Sequence, residues 1–281
     1  MIAISLASLT RLKRDSASDR LEPSQNEDHF ISMTTAAYTT EFFETIRDGS
    51  RRSAEVVVPI VLEILKPKSV IDVGCGDGTW LSVFLEMGVK DVWGLDGEYV
   101  NASQLRIPQD LFKPTDLSSP FTIARKFDLA MSLEVAEHLP PSSAKGFVES
   151  LSRLAPLVLF SAAIPLQGGT NHLNEQWPDY WVELFRAHDY LPIDFIRGRI
   201  WSNPQVEWYY AQNTLLFARP ECLGNNDELS RLYQHTNQQH LSMVHPTRFL
   251  QPFACGVPDA VRLLWQAAKK ALRTRLGIGS R

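Results

Sequence analysis

The chain has 281 residues, 44% of them hydrophobic, which is enough for one large domain or one domain with extensions. A formal net charge of −4 gives no general attraction to nucleic acid or to an anionic membrane. The 3 cysteines, Cys75, Cys222 and Cys255, are widely spaced and form no CxxC pair, so neither a zinc ribbon nor a disulfide framework is expected, and a reducing cytoplasm fits.

In chain order, residues 1–33 come first. "KRDSASDRLEPSQNEDH" is polar without hydrophobic period, which predicts a disordered tail. "MIAISLASL" is too short and too poorly flanked for a signal peptide, Met33 offers an alternative start, and no apolar run could span a bilayer. Pattern begins with "AYTTEFFETI" and then "SAEVVVPIVLEIL". In the second, Val57, Val58, Ile60, Val61, Ile64 and Leu65 form one helical face, with Ser53 as N-cap. Strands and helices then alternate. "SVIDVG" is a strand, "TWLSVFLEM" a helix closed by Gly88, and "DVWGLD" and "FDLAMSLE" two further strands. A helix follows from about Ser142 to Leu154, then the strand "LVLFSAAIP" and the helix "NEQWPDYWVELFRAHD", with Pro178 in its first turn. "LPIDFIRG" and "YYAQNTLLFAR" close the run as strands. This alternation predicts an α/β fold, a largely parallel sheet with helices on both faces.

After Pro220, "ECLGNNDELSRLYQHTNQQH" reads as polar linker or loose helix. "PDAVRLLWQAAKKALRTRLG" reads as an amphipathic helix. Val261, Leu264, Trp265, Ala268 and Leu272 share one face, and Arg262, Lys269, Lys270 and Arg273 another. Its apolar face is expected to pack on its own domain or on a second copy in a homodimer. Peripheral contact with an acidic membrane is the alternative.

The sharpest motif is "VIDVGCGDGTW". Three glycines in five residues directly after a buried strand imply that something approaches the backbone closely. The dinucleotide fingerprint fails because Thr79 stands at its last position, and the phosphate loop lacks its Lys-Ser/Thr ending. What remains is D-x-G-x-G-x-G, with Asp72 ahead of Gly74, Gly76 and Gly78. Asp96 ends the second strand at a suitable distance to hold a ribose diol, and Asp116 in "PTDLSS" could meet an adenine amino group.

This ordered set resembles the class I S-adenosylmethionine-dependent methyltransferases, over roughly Tyr38 to Pro220. The resemblance implies a Rossmann-like seven-stranded, mostly parallel sheet with an antiparallel last strand, assigned to "YYAQNTLLFAR". It implies S-adenosylmethionine as cofactor, a catalytic domain over 34–220 and an extension over 221–281. Gly74, Gly76 and Gly78 would lie against the methionine part of the cofactor. Asp72 would orient the loop or the amino group, Asp96 and the adjacent Gly97 would hold the ribose, and Asp116 with Leu117 would frame the adenine. Leu133 and Cys75 complete the cofactor side, the Cys75 thiol reading as a small apolar residue.

A second motif, "SLEVAEHLP", places Glu134, Glu137 and His138 at i, i+3 and i+4, one side of a helix, directly after a strand's carboxyl end. Two acids and an imidazole there suit a divalent cation. His172, in the glycine-bearing loop "QGGTNHLNEQW", is a fourth candidate. E-x-x-E-H with a later histidine resembles two methyltransferase branches: small-RNA 3′-end methyltransferases, which hold magnesium this way, and ubiquinone-pathway O-methyltransferases. Carried over, Glu134, Glu137, His138 and His172 would bind Mg, Mn, Fe or Zn. On the alternative reading Glu134 touches the cofactor, Glu137 faces water, and His138 caps a helix or serves with His172 as general base. Tyr38, Phe42 and Phe43 precede the first helix as a candidate lid. Trp177, Trp181, Trp201, Trp208 and Tyr209 stand on the acceptor side or in the core.

The expected function is O-methylation of a small hydroxylated acceptor such as a sugar, a glycolipid precursor or a phenol. A catalytically silent cofactor-binding or interaction module is the alternative. An RNA 3′ end is the rival acceptor, and the absence of a basic run in the catalytic span argues against nucleic acid.

Overall fold

Five buried residues in a row, Ser69–Val73, form β1, and a run so uniformly buried belongs to a strand covered on both faces. The computed structural model of the chain describes residues 40–254, with side chains from 48 to 251. Helix α1 is Thr40–Leu65. After β1 come α2 (Thr79–Glu86), β2 (Asp91–Asp96), β3 (Phe112–Pro114), β4 (Leu129–Leu133), α3 (Ala144–Ser152), β5 (Leu157–Ser161) and α4 (Pro178–Arg186). β6 (Leu191–Ile193), α5 (Arg197–Ile200), α6 (Trp208–Asn213), β7 (Leu215–Ala218), α7 (Pro220–Gly224), α8 (Asp227–His235) and α9 (Pro246–Ala254) complete the order.

The strands form one 7-stranded sheet in the order β3-β2-β1-β4-β5-β7-β6. β1 pairs in parallel with β2 and β4, β3 extends β2, and β5 extends β4. β7 lies antiparallel between β5 and β6. The expected seven-stranded, mostly parallel sheet with an antiparallel last strand is therefore present. Alternate strand residues separate into two cores. Val70, Val92, Leu129, Met131 and Leu159 face α1 and α2, packing on Val57, Val61, Leu81 and Phe84. Ile71, Leu95, Ala130, Val158 and Phe160 face α3 and α4, packing on Phe147, Leu151, Trp181 and Phe185.

Local differences from the sequence reading have physical causes. Ser53 is no N-cap. It lies deep in α1, fully buried, donating to the Gly49 carbonyl at 2.7 Å and accepting from the Glu207 backbone N–H at 3.0 Å. The helix continues through Gly49, where a Cβ would stand 2.5 Å from Glu207 Oε1, so a larger residue there would displace the Glu207 side chain. "YYAQNTLLFAR" is not one strand: Trp208–Asn213 is helical and only Leu215–Ala218 pairs. "LPIDFIRG" likewise contributes only Leu191–Ile193 before the chain turns into α5.

The stretch after Pro220 is more ordered than a linker. Asn226 caps α8 by accepting from the Leu229 N–H at 3.0 Å, and its amide donates to the Ile64 carbonyl at 3.1 Å. Leu229 is buried in the α1 core, and Leu241 in the other. The amphipathic helix expected over 258–277 and Tyr38 lie outside the described residues, as do the side chains of Phe42 and Phe43.

Candidate active site

At the switch point between β1 and β4, where the strand order reverses, the carboxyl ends of the strands open onto a cavity of about 910 Å³. The glycine turn forms its floor. Gly74 has φ 87, and a Cβ there would meet Val135 Cγ2 at 2.3 Å, so both backbone and packing demand glycine. Gly78, with φ 80, opens α2. Cys75, Gly76, Gly97, Asp116, Leu117 and Leu133 also line the cavity.

Asp96 is buried, and its position is fixed by donors. The Gly76 N–H reaches Oδ2 at 2.7 Å, the Gly97 N–H reaches Oδ1 at 2.7 Å, and the Tyr99 hydroxyl also donates to Oδ1. Burial nevertheless holds its pKa above the usual carboxylate range. Asp72 is buried as well. Desolvation first, and then the charge of Asp96, push its pKa up to about 8. Asp116 is exposed and keeps a lowered pKa through hydrogen bonds from Ser118, whose N–H donates to it at 2.9 Å.

The raised pKa of Asp72 carries a sign for stability. Between the unfolded value, ~3.9, and about 8 the folded state holds a proton that the unfolded chain has released. Stability tied to Asp72 is thus full below pH 4 and lost as pH rises through 8. Asp72→Asn should raise the melting temperature at pH 8 and leave it nearly unchanged at pH 4. Calorimetry at both values checks this, and equal shifts at both would count against it.

The second motif folds differently from its helical reading. Glu134 takes φ 57 at the end of β4, and Ala136–His138 form a single 3₁₀ turn. Pro140 and Pro141 follow after Leu139; neither has an N–H to extend an α-helix. The result gives the two acids different partners but leaves them close enough for the Glu134 charge to raise the pKa of Glu137. Asn213 Nδ2 donates to Glu134 Oε1 at 3.0 Å, and Gln167 Nε2 donates to Oε2 at 3.0 Å. Glu137, His138 and His172 instead bring one ligand atom each to within 4.8 Å of one another, and Glu134 is not in that group.

His172 arrives there because the Leu173 and Asn174 N–H groups both donate to the Glu137 carbonyl, at 2.7 and 2.9 Å. Its ring meets that of His138 edge-on at 4.8 Å between centroids. Its Nδ1 pairs with Glu175 Oε1 at 3.0 Å, and Glu175 also accepts from the Gly168 and Leu166 N–H groups. Burial opposes the Glu175 charge, but these hydrogen bonds prevail and hold its pKa low.

Glu137 is fully buried, and neither of its carboxylate oxygens meets a hydrogen-bond partner among the described residues; His138 Nδ1 is in the same position. Burial, and then the Glu134 charge, push Glu137 well above its ordinary pKa. Burial, and then the His172 charge, lower His138 to about 4, so its ring is neutral at pH 7. A buried carboxyl and imidazole with unused lone pairs, next to a third donor, suit a divalent cation.

Of the aromatic candidates, Trp208 and Tyr209 line the cavity. Trp181 is core, 5.2 Å from Phe160 between ring centroids, while Trp201 packs on His245 and Trp177 is largely exposed. The sequence reading missed Gln167, Asn213, Glu175 and Tyr99. The only trace of the first two is their amides beside apolar strand sequence, where a buried polar side chain requires a partner.

A family model described as a methyltransferase domain matches residues 44–200. Among solved structures, an O-methyltransferase family protein from Burkholderia thailandensis is similar with a TM-score of 0.50 at 18% identity, over 67% of this chain and 62% of that one. The chain therefore spans less than two thirds of that protein's length. DesVI of Streptomyces venezuelae gives a TM-score of 0.48 at 14% identity, covering 71% of this chain and 100% of that one. Magnesium protoporphyrin IX methyltransferase of Synechocystis PCC 6803, solved with bound SAH, gives 0.46 at 18%, covering 70% and 95%. The likeness to the Burkholderia protein is one of fold. A comparison with curated proteins finds no match.

Proposed function

The chain belongs to the methyltransferase-domain family, the class I S-adenosylmethionine-dependent methyltransferases, and we propose that it transfers the methyl group to an oxygen of a small hydroxylated acceptor such as a sugar, a glycolipid precursor or a phenol. One observation carries this reading. A single cavity joins the glycine turn and Asp96 to Glu137, His138 and His172, with Trp208 and Tyr209 on its wall. A silent binding module would have no use for an orphaned carboxyl in that place.

S-adenosylmethionine supplies an activated methyl group together with its own thioether leaving group. The chain's residues bind and orient. Gly74, Cys75, Gly76 and Gly78 offer backbone, Asp72 and Asp96 offer carboxyl oxygens, and Asp116, Leu117, Gly97 and Leu133 frame the remainder. The cradle fits a ligand: nothing lies within 4 Å of where a Cβ on Gly76 would stand. The aromatic wall gives a ring or sugar face a surface to stack on.

Glu137, His138 and His172 would hold a divalent ion, and their orphaned atoms fit one. When bound, such an ion supplies charge that gathers two neighbouring hydroxyls and lowers the pKa of one. The His172–Glu175 contact favours a second mechanism. With Nδ1–H donated to Glu175, Nε2 keeps a lone pair and can take the acceptor proton as general base.

The test is methyl transfer from labelled S-adenosylmethionine to a vicinal diol and to its mono-hydroxyl analogue. The diol should be preferred by at least about tenfold. Absence of transfer to either would remove the O-methylation reading. A cytoplasmic location belongs to the same proposal; among the described residues no helix is long and apolar enough to cross a membrane. Self-association and membrane contact through the basic C-terminal segment remain expectations for residues outside the description.

A further inference from the structure

We infer that Tyr99 stands in for the cofactor while the site is empty: its hydroxyl holds a position on Asp96 that a ribose hydroxyl takes over, and it gives that position up when the cofactor enters. This rests on S-adenosylmethionine as cofactor and on Asp96 as the acceptor of its ribose, and it adds the exchange of donors by which the site fills and empties.

The acceptor positions on Asp96 carry the inference. Two carboxylate oxygens offer about four lone-pair positions. Oδ2 takes the Gly76 N–H at 2.7 Å, and Oδ1 takes both the Gly97 N–H at 2.7 Å and the Tyr99 hydroxyl. Among the described donors this leaves one position, on Oδ2. A ribose diol brings two hydroxyl donors, so one of the present three must leave. The two N–H groups are backbone and stay where the chain puts them. Gly76 lies in the glycine turn, and Gly97 directly follows β2 and opens a turn closed by the Val100 N–H on its carbonyl at 3.2 Å.

Tyr99 is the donor able to leave. It is 65% exposed, so its hydroxyl passes into water without leaving a buried polar group unpaired. Its ring reaches Asp96 by lying across Gly97: a Cβ there would stand 2.2 Å from Tyr99 Cε1 and 2.5 Å from Cδ1. Only the bare backbone of Gly97 lets the ring rest in that place. Tyr99, Gly97 and Asp96 all line the one cavity, so the hydroxyl is met by whatever approaches the carboxylate from that side.

Burial gives the stand-in its use. Asp96 is buried, and a buried carboxylate short of donors is costly. Tyr99 supplies the third donor in the empty protein, and the diol supplies a third and a fourth in the filled one. The bond that Tyr99 surrenders stabilises the empty protein and weakens cofactor binding by the same amount. A methyltransferase must release its demethylated product after each turnover, and that product carries the same ribose.

The experiment is Tyr99→Phe in the full chain, with S-adenosylhomocysteine and its 2′,3′-dideoxy analogue as ligands. Phenylalanine keeps the ring and removes the donor. Without ligand the variant should melt about 2–4 °C below wild type, the scale for one hydrogen bond in a domain of this size. Titration calorimetry should show S-adenosylhomocysteine binding the variant about five- to tenfold more tightly than wild type. The dideoxy analogue takes no place on Asp96 and should bind both proteins alike. At one saturating concentration of S-adenosylhomocysteine the two proteins should melt together, because the Tyr99–Asp96 bond is absent from both complexes. A hydroxyl that stayed on Asp96 in the complex would instead leave the variant melting below wild type with ligand bound, at equal or weaker affinity. Either result overturns the inference, as does an equal gain in affinity for the dideoxy analogue. If S-adenosylhomocysteine binds both proteins alike, the cofactor assignment stands and the role of Tyr99 falls. If it binds neither, the cofactor assignment falls and the inference with it.

Discussion

Asp96→Ala is expected to weaken S-adenosylmethionine binding by about 10- to 150-fold, the equivalent of the ~1.5–3 kcal/mol carried by a hydrogen bond to a charged group. The side chain is held for a ligand by three donors, the N–H groups of Gly76 and Gly97 and the Tyr99 hydroxyl. Truncation removes the acceptor and leaves the Gly76 N–H, part of the glycine turn, without its partner. The loss therefore combines a missing contact with a loosened turn. Asp96→Asn separates the two, since it keeps the volume and one acceptor oxygen but not the charge, and it should fall between wild type and Ala. Calorimetry at a single site measures all three proteins, with circular dichroism as the control for folding. Unchanged affinity in a folded Asp96→Ala protein would remove the cofactor assignment, and tight binding of a nicotinamide dinucleotide in its place would revive an oxidoreductase.

Most of the sheet was legible because its strands are short, uniformly apolar runs bounded by breakers, as in "SVIDVG" and "DVWGLD". β3 was not: it has three residues, ends in Pro114 and is half-exposed or exposed throughout, so no periodicity marks it. "YYAQNTLLFAR" misled because aromatic and β-prone residues favour a strand, whereas Trp208–Asn213 coils to place Tyr210 in the α1 core and Asn213 on Glu134. The glycine turn, Asp72 and Asp96 were legible because close backbone approach and a strand-end acid leave local marks. Glu134 lines the cavity but stands outside the group of Glu137, His138 and His172, because two prolines allow only one 3₁₀ turn where helical spacing was assumed. The amides that engage it come from 33 and 79 positions away in the chain, a separation that leaves no local pattern.

The largest effect on turnover is expected at Glu137. It is the fully buried member of the group with His138 and His172, and both its oxygens lack partners among the described residues. If those lone pairs hold a cation, EDTA should abolish methyl transfer while leaving cofactor affinity intact, and added Mg²⁺, Mn²⁺, Fe²⁺ or Zn²⁺ should restore it. Glu137→Ala should act like chelation and lower kcat on the order of 10²-fold or more, the scale for removing one pre-organised charge stabiliser. Paramagnetic resonance of added Mn²⁺ gives a readout independent of turnover: a bound signal in wild type, lost in Glu137→Ala. Stability should move the other way. An unpaired buried carboxyl costs ~1–3 kcal/mol, so metal-free Glu137→Met should melt above metal-free wild type. A residue kept for packing alone would show the reverse. Should full activity persist in EDTA with Glu137→Ala near wild type, the His172–Glu175 pair becomes the catalyst. In that case His172→Ala should be inactive, and Glu175→Gln should lose both the charge that supports proton transfer to His172 and one of the two acceptors of the Leu166 and Gly168 N–H groups.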